Sequence, residues 1–168
     1  MTIKDITMIE NKSFPHQDPI KEKMDINIPL VKADNIPKRN GSIYVLCGSG
    51  GSGKTSLLLN MFKTKQLYRK KFHNIFYICP TTSFLSVEKH PFKDHENIYH
   101  ELTYSVLEDI YNELVDLKET EKKPVYSLII IDDFASNLKD KEIINILNRM
   151  IIKARHINCC FFFTLQSY

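Results

Sequence analysis

Gly48-Ser49-Gly50-Gly51-Ser52-Gly53-Lys54-Thr55 is the stretch of this 168-residue chain that decides its fold. It matches the pattern G-x-x-x-x-G-K-[ST] at every fixed position. Residues 43–47 before it read as a buried strand, and residues 56–62 after it read as the opening of a helix. Glycines let the backbone turn tightly, so that successive N–H groups can face phosphate oxygens beside a helix N-terminus. The stretch therefore predicts a strand–loop–helix unit that binds a triphosphate.

The side chains of this loop predict separate roles for Lys54 and Thr55 at the phosphates. Lys54 can reach the β- and γ-phosphates, and Thr55 can offer its hydroxyl group to Mg²⁺. ATP and Mg²⁺ are accordingly the expected cofactors. The residues expected to bind the nucleotide are Gly48, Ser49, Gly50, Gly51, Ser52, Gly53, Lys54, Thr55 and Ser56.

Composition places the chain among ordinary globular domains. It is 43% hydrophobic and 26% charged, and its length suits one domain with a sizeable core. The net charge of +3 is too small to argue nucleic-acid binding by itself. No apolar run approaches the roughly 20 residues of a membrane span, and Met1 to Glu10 do not form a secretory signal.

The cysteines and histidines show no metal-binding spacing. We interpret the cysteines as reduced core thiols of a cytosolic-type compartment. They are Cys47, Cys79, Cys159 and Cys160. Isolated histidines are expected at the surface. They are His16, His90, His95 and His100.

Residues 1–40 differ from the rest of the chain in composition and charge pattern. Prolines interrupt them and charges alternate in sign, which favours an N-terminal extension or arm rather than a second domain. Residues 41–168 are expected to form the P-loop domain.

Strands and helices alternate along residues 41–168. Strands are predicted over residues 42–47, 74–79, 125–131 and 159–165. Helices are predicted over residues 53–66, 104–118 and 139–155, with a polar loop after the second strand. This alternation predicts an α/β fold in which helices cover both faces of a parallel sheet.

An acidic pair supplies the second half of the predicted site. Asp132 and Asp133 follow the apolar run Ile129-Ile130-Ile131. A P-loop needs a carboxylate for Mg²⁺ at the end of a neighbouring strand, which is the role predicted for Asp132. Asp133 can polarise the attacking water. A simple strand-to-loop transition, in which aspartate is common, is the alternative.

The order of these elements resembles a subclass of P-loop ATPases with an additional strand between the Walker A and Walker B motifs. That resemblance implies a three-layer sandwich in which the strand after the acidic one lies beside the P-loop strand. The carboxyl end of that strand presents a polar residue to the γ-phosphate, and here that residue is Gln166. A glutamine can hydrogen-bond both a phosphate oxygen and water. Thr81-Thr82-Ser83 is a further candidate at the same edge of the sheet.

Four features together resemble the poxvirus-type genome-packaging ATPases of large cytoplasmic DNA viruses and their virophages, within the FtsK/HerA superfamily. They are Gly48–Thr55, Asp132-Asp133, Arg155-His156 and Thr164-Leu165-Gln166-Ser167. The resemblance covers about residues 41–168. It implies a homo-oligomeric ring that uses ATP to translocate double-stranded DNA into a capsid, with capsid proteins as partners.

The same resemblance implies further features. The protein would work in the viral factory of the host cytoplasm, and in the virion. Such domains continue with at least one more strand, so the chain is expected to be a fragment or a shortened version. An arginine finger acting on a neighbouring subunit would be Arg149 or Arg155.

Two other functions remain open from the residues alone. One is a small-molecule or nucleotide kinase, although no arginine-rich lid segment is visible. The other is an adaptor that binds ATP without turning it over. A GTPase and an ABC-type transporter ATPase are disfavoured because N-K-x-D, D-x-x-G and L-S-G-G-Q signatures are missing from the sequence.

A basic cluster follows the P-loop helix. Its members are Lys63, Lys65, Arg69, Lys70, Lys71 and His73. It can contact DNA phosphates. A solvated helix end and turn is the favoured interpretation.

Overall fold

The computed structural model describes residues 41–65, 67–88 and 90–166. The extension predicted over residues 1–40 lies outside the described residues. The strands are β1 (Ile43–Gly48), β2 (Asn74–Ile78), β3 (Ile98–Tyr99), β4 (Ser127–Asp132) and β5 (Cys159–Gln166). The helices are α1 (Lys54–Lys63), α2 (Thr81–Leu85), α3 (Tyr104–Thr120) and α4 (Lys141–Ile152), and a 3₁₀ turn covers Asn137–Lys139.

The strands form one five-stranded sheet in the order β1-β5-β4-β2-β3. Every strand pair is parallel, which confirms the predicted α/β fold. Strand β5 lies between β1 and β4, with Gly48 opposite Gln166 and Asp132 opposite Thr164. This register brings the start of the P-loop, the acidic pair and Gln166 to the carboxyl edge of the sheet.

Helices cover both faces of the sheet and create two hydrophobic cores. On one face, α3 and α4 pack through residues such as Ile110 and Ile146 against Ile129 and Phe161. On the other face, α1 packs through residues such as Leu58 and Phe62 against Phe162. Apolar residues lie on both faces of β4 and β5 because those strands are buried from both sides.

The β1 edge is less covered than the centre of the sheet. Ile43 and Val45 are 47% and 54% exposed, on the face that α3 and α4 cover further along the sheet. A continuous apolar sequence predicted a strand here, but it could not distinguish an edge strand from a central one.

Local hydrogen bonds explain where the longer helices begin. The Thr103 hydroxyl oxygen accepts a hydrogen bond from the Val106 N–H group at the start of α3. The Asp140 carboxylate accepts hydrogen bonds from the N–H groups of Glu142 and Ile143. Because Asp140 caps α4, this helix begins after it, whereas the sequence pattern predicted a start at residue 139.

Two elements differ from the sequence prediction. The segment after β2 was predicted as a polar loop, yet it contains the short α2 and β3. Strand β3 has only two residues and pairs with β2 at the sheet edge, so it carries no extended apolar pattern to detect. None of the helices in the described ranges is both long enough and apolar enough to cross a bilayer.

The prediction that His90 lies at the surface is wrong. Its side chain is buried and packs against Phe84, with the ring centroids 4.2 Å apart and the ring planes tilted by 34°. The Nδ1 atom accepts a hydrogen bond from the Phe92 N–H group. Burial, with a smaller contribution from the charge of Lys63, lowers the pKa of His90 to about 4. His95 and His100 are exposed, as expected.

Candidate nucleotide-hydrolysis site

The loop between β1 and α1 has the backbone conformation of a phosphate cradle. Gly51 and Gly53 have φ angles of 70° and 83°, in the left-handed region that favours glycine. Gly53 is the residue before α1, so no side chain caps this helix, and its first turn contains no acidic residue. The N–H groups of that turn and the positive end of the helix dipole can therefore receive an anion.

Lys54 curls back over this loop. Its ammonium group donates hydrogen bonds to the carbonyl oxygens of Gly48 and Ser49, at 3.0 and 2.8 Å. These contacts keep the charge at the mouth of the cradle. A phosphate oxygen is a stronger partner for an ammonium group than a neutral carbonyl, so Lys54 can exchange one for the other.

Asp132 is buried at the end of β4 and is held by three hydroxyl groups. Thr55 donates a hydrogen bond to its Oδ1 atom at 3.1 Å, and Thr164 donates to the same atom. Tyr77 donates to its Oδ2 atom at 2.8 Å. The network joins Asp132 to the P-loop helix on one side and to strands β2 and β5 on the other, which fixes the carboxylate.

Tyr77 remains a hydrogen-bond donor in this network. Burial, followed by the negative charge of Asp132, raises the pKa of Tyr77 far above its ordinary value. Its hydroxyl group therefore stays protonated and continues to stabilise the Asp132 carboxylate throughout the range in which proteins function.

Asp133 is exposed and has a different set of partners. Its φ angle of 63° places it in the left-handed region, and its N–H group donates to the Thr164 hydroxyl oxygen at 3.0 Å. Ser83 donates a hydrogen bond to its Oδ2 atom at 2.9 Å, and the Gln166 amide donates to its Oδ1 atom at 2.7 Å. The structure thus joins both predicted acids, Gln166 and one residue of the Thr81–Ser83 segment.

These groups fit the predicted cofactors. The Asp132 carboxylate and the Thr55 hydroxyl are hard oxygen ligands of the kind that Mg²⁺ prefers, and they are already in contact. The uncapped start of α1 and the Lys54 ammonium group supply the positive charge that a triphosphate needs. The arrangement can hold a phosphate chain and a divalent cation beside an accessible carboxylate.

The arginines considered for a catalytic finger lie elsewhere. Helix α4 begins near the carboxyl edge and leads back to the start of β5, so Arg149 and Arg155 lie towards the amino edge of the sheet. Arg149 is 3.8 Å from a Glu108 carboxylate oxygen and lies over the Tyr111 ring. Neither arginine takes part in the hydrogen bonds described for the site in this chain.

Sequence reasoning assigned no role in the site to Tyr77 or Thr164, although Thr164 belongs to the motif Thr164-Leu165-Gln166-Ser167. Each is a hydroxyl-bearing residue in an otherwise apolar strand, which was the available signal, since a buried hydroxyl group needs a partner. The partner could not be identified because it depends on the order of the strands in the sheet.

The described cysteines are free, and three of them are buried. Cys47 is exposed, so the prediction of a core thiol is wrong for this residue, which lies at the end of the edge strand β1. Burial raises the pKa of Cys79 to about 12, which keeps this thiol protonated. In the ranges that the structure describes, no group of three or more histidine, cysteine or acidic residues could hold a metal ion. The predicted Mg²⁺ ligands instead combine one carboxylate and one hydroxyl group.

Comparison with known proteins gives one family. A family model described as "Poxvirus A32 protein" matches residues 34–168, which is most of the chain and includes every residue of the site. No curated protein matches the chain.

Proposed function

Because the chain belongs to the poxvirus A32 protein family of viral genome-packaging ATPases, we propose that it hydrolyses ATP at this site and thereby translocates double-stranded DNA. One observation carries the proposal. The P-loop threonine, the buried acid, the exposed acid and the strand-end glutamine belong to one continuous set of hydrogen bonds. A site that only bound nucleotide would not need the exposed acid in that network.

Each residue then has a distinct task. The N–H groups of the P-loop and the Lys54 ammonium group bind and orient the phosphate chain. Thr55 and Asp132 would hold Mg²⁺, which when bound neutralises charge that develops on the phosphates. Asp133 accepts a proton from the attacking water.

The contact between Gln166 and Asp133 links hydrolysis to the rest of the molecule. Both oxygens of Asp133 accept hydrogen bonds, from Ser83 and from Gln166. Each carboxylate oxygen can accept a second hydrogen bond, so the exposed Asp133 can also receive one from the attacking water. Gln166 is the donor that can turn from Asp133 towards the γ-phosphate, because an amide offers both a donor and an acceptor.

The wider setting is also part of the proposal. We infer a homo-oligomeric ring that acts on double-stranded DNA beside capsid proteins, in the viral factory of the host cytoplasm. An arginine from a neighbouring subunit, Arg149 or Arg155, would complete the site. The family membership supports this setting.

Displacement of a third strand from a DNA triplex by the full chain tests the translocation. We expect displacement that requires ATP and Mg²⁺ and that is lost in Lys54→Ala. Lys118→Ala, which removes an exposed lysine of α3, is the matched control and should displace the strand normally.

Other outcomes identify the alternatives. ATP consumption that occurs only after a small phosphate acceptor is added would indicate a kinase. ATP binding without turnover, even with DNA present, would indicate an adaptor. Turnover that leaves the triplex intact would contradict translocation while leaving the ATPase assignment in place.

A further inference from the structure

A second concave site lies at the opposite edge of the sheet from the P-loop. It is a cavity of about 550 Å³ between the end of α1, the segment that leads into β2 and the segment before β3. Because Lys63 ends α1 and Ile75 lies at the start of β2, this cavity is at the amino edge of the sheet. We call it the basic pocket.

The rim of the basic pocket is cationic. Its cations are Lys63, Arg69 and Lys70, and its described lining contains no carboxylate. Arg69 and Lys70 are exposed. Among the described residues, neither of these two side chains has a carboxylate within salt-bridge distance. Their charges therefore face solvent, where they can meet an anion.

The floor of the basic pocket is rigid and aromatic. Phe62, Tyr68, Phe72 and Phe92 are buried, and the rings of Phe62 and Tyr68 stack at 5.6 Å between centroids. Because these rings are buried beneath the rim, they are not available to stack on a nucleic-acid base. The buried rings form an apolar floor beneath the charged rim.

Backbone hydrogen bonds also hold the rim segment. The Tyr68 N–H group donates to the Met61 carbonyl at 3.1 Å, and the Arg69 N–H group donates to the Thr64 carbonyl at 3.3 Å. The His73 N–H group donates to the Tyr126 carbonyl at 2.8 Å. The rim is therefore organised before any ligand arrives, which lowers the entropic cost of binding.

Lys70 adopts a backbone conformation that glycine would adopt more easily. Its φ angle is 56°, in the left-handed region that long side chains disfavour. Backbone outliers of this kind cluster at functional sites. At Lys70 this conformation coincides with a charged side chain on the rim of the basic pocket.

We propose that the basic pocket binds the phosphate backbone of double-stranded DNA. The guanidinium group of Arg69 matches the geometry of phosphate oxygens. Arg69 and Lys70 are adjacent and exposed, so together they suit the regularly spaced phosphates of a duplex. Contacts to phosphate oxygens carry no sequence information, so we expect binding that is independent of sequence. This inference rests on the proposed function, because it names where DNA meets the motor.

The test compares duplex binding by two double variants of the full chain. Arg69→Ala/Lys70→Gly removes two charges from the rim. Lys118→Ala/Lys122→Ala removes two exposed charges outside the basic pocket and matches the change in net charge. Fluorescence anisotropy with a labelled duplex of mixed sequence gives Kd at several salt concentrations, and thermal unfolding checks that each variant is folded.

We expect the rim variant to bind duplex DNA at least about tenfold more weakly than the unmodified chain. The slope of log Kd against log salt concentration should fall by about 2, for two lost phosphate contacts. The control variant should stay within about threefold of the unmodified chain. The midpoint temperature of thermal unfolding of Lys70→Gly alone should be unchanged or higher, because glycine fits the left-handed conformation.

Four results would overturn the inference. Equal weakening in the two double variants would mean that only net charge matters. Unchanged binding in the rim variant would place the DNA elsewhere. Competition by polyglutamate that exceeds competition by duplex DNA would assign the basic pocket to an acidic protein. An unmodified chain that hydrolyses ATP without binding duplex DNA would contradict the proposed translocation as well as the inference.

Discussion

At the residue scale, Asp132 and Asp133 are adjacent and chemically identical, yet their surroundings suit them to different tasks. Asp132 is buried and accepts hydrogen bonds from three hydroxyl groups, so its position is fixed. Asp133 is exposed, and its two partners are a serine and a glutamine side chain that can turn away. A fixed carboxylate suits a cation ligand, whereas an accessible one suits proton transfer.

Replacement of Asp133 by asparagine should separate ATP binding from turnover. Asparagine tolerates the left-handed backbone better than most residues, so the loop should keep its conformation. We expect ATP binding within a few-fold of normal and turnover lowered by about 10²- to 10⁴-fold, because the proton acceptor is lost. Equilibrium binding and single-turnover hydrolysis measure the two quantities.

Asp140→Asn is the matched control for that substitution. Asparagine can also cap a helix, so α4 should be preserved and hydrolysis should be normal. Full hydrolysis by Asp133→Asn would show that the assignment of the proton acceptor is wrong.

Tyr77 is expected to position Asp132 without touching the substrate. Tyr77→Phe keeps the ring in the core but removes the hydrogen bond to Asp132 Oδ2. Outer hydrogen-bond partners of metal ligands typically contribute about 10- to 100-fold to affinity or activity. We therefore expect a higher Mg²⁺ concentration for half-maximal turnover, with the folded state retained.

Tyr104→Phe controls for the loss of a tyrosine–carboxylate hydrogen bond. Tyr104 donates to Glu108 at 2.8 Å on the exposed side of α3, away from Asp132. An unchanged Mg²⁺ requirement in Tyr77→Phe would remove Tyr77 from the site.

His90 should make the free energy of unfolding depend on pH. Its pKa is about 4 in the folded state, against an ordinary value near 6.5. Between those values the unfolded chain binds a proton that the folded chain excludes, so the free energy of unfolding decreases as the pH falls through this window. The contribution of neutral His90 to the free energy of unfolding is fully present above about pH 6.5.

Urea unfolding at about pH 7 and about pH 4.5 measures this effect. His90→Asn, which keeps an acceptor for the Phe92 N–H group, should reduce the difference in unfolding free energy by about 2–3 kcal/mol. His95→Asn, at an exposed histidine, should leave it unchanged. An identical pH dependence in His90→Asn would refute the role given to this buried ring.

At the element scale, the position of β5 determines the site. Because β5 lies between β1 and β4, Thr164 is opposite Asp132 and Gln166 is opposite Gly48. Thr164 donates a hydrogen bond to the Asp132 carboxylate and accepts one from the Asp133 N–H group. One side chain therefore ties together the ends of β4 and β5.

Thr164→Val tests that connection. Valine has nearly the same shape, but it leaves the Asp133 N–H group and an Asp132 oxygen with one partner fewer. We expect a loss of about 1–3 kcal/mol in the free energy of unfolding and a weaker response of turnover to Mg²⁺. Denaturant unfolding and a Mg²⁺ titration measure both, and Thr164→Ser, which keeps the hydroxyl group, should restore them.

Failure of Thr164→Ser to restore turnover would show that the methyl group matters more than the hydroxyl group. Normal turnover in Thr164→Val would mean that the connection between β4 and β5 is structural only.

Long apolar strands and helical stripes could be predicted from the sequence, whereas short edge elements could not. Strands β4 and β5 have continuous apolar runs because both of their faces are buried. The short α2 and β3 depend on tertiary contacts, and α2 provides Ser83 to the site. The residues of the P-loop and the acidic pair follow a local pattern, but Tyr77 and Thr164 become recognisable only when the strand order is known.

At the scale of the whole molecule, the two edges of the sheet have different chemistry. The carboxyl edge carries the P-loop, Asp132, Asp133 and Gln166. The amino edge carries the basic pocket on the α1 face. Helix α1 spans the distance between them, since it begins at Lys54 and ends at Lys63. It is therefore the element through which nucleotide state would influence the proposed DNA contact.

The most direct test of the proposed function is the rate of ATP hydrolysis by the full chain with and without duplex DNA. We expect hydrolysis that requires Mg²⁺, needs no small-molecule phosphate acceptor and increases when duplex DNA is added. Absence of any Mg²⁺-dependent hydrolysis in the presence of duplex DNA, or hydrolysis at a rate that duplex DNA does not change, would show that this chain is not a DNA-stimulated ATPase.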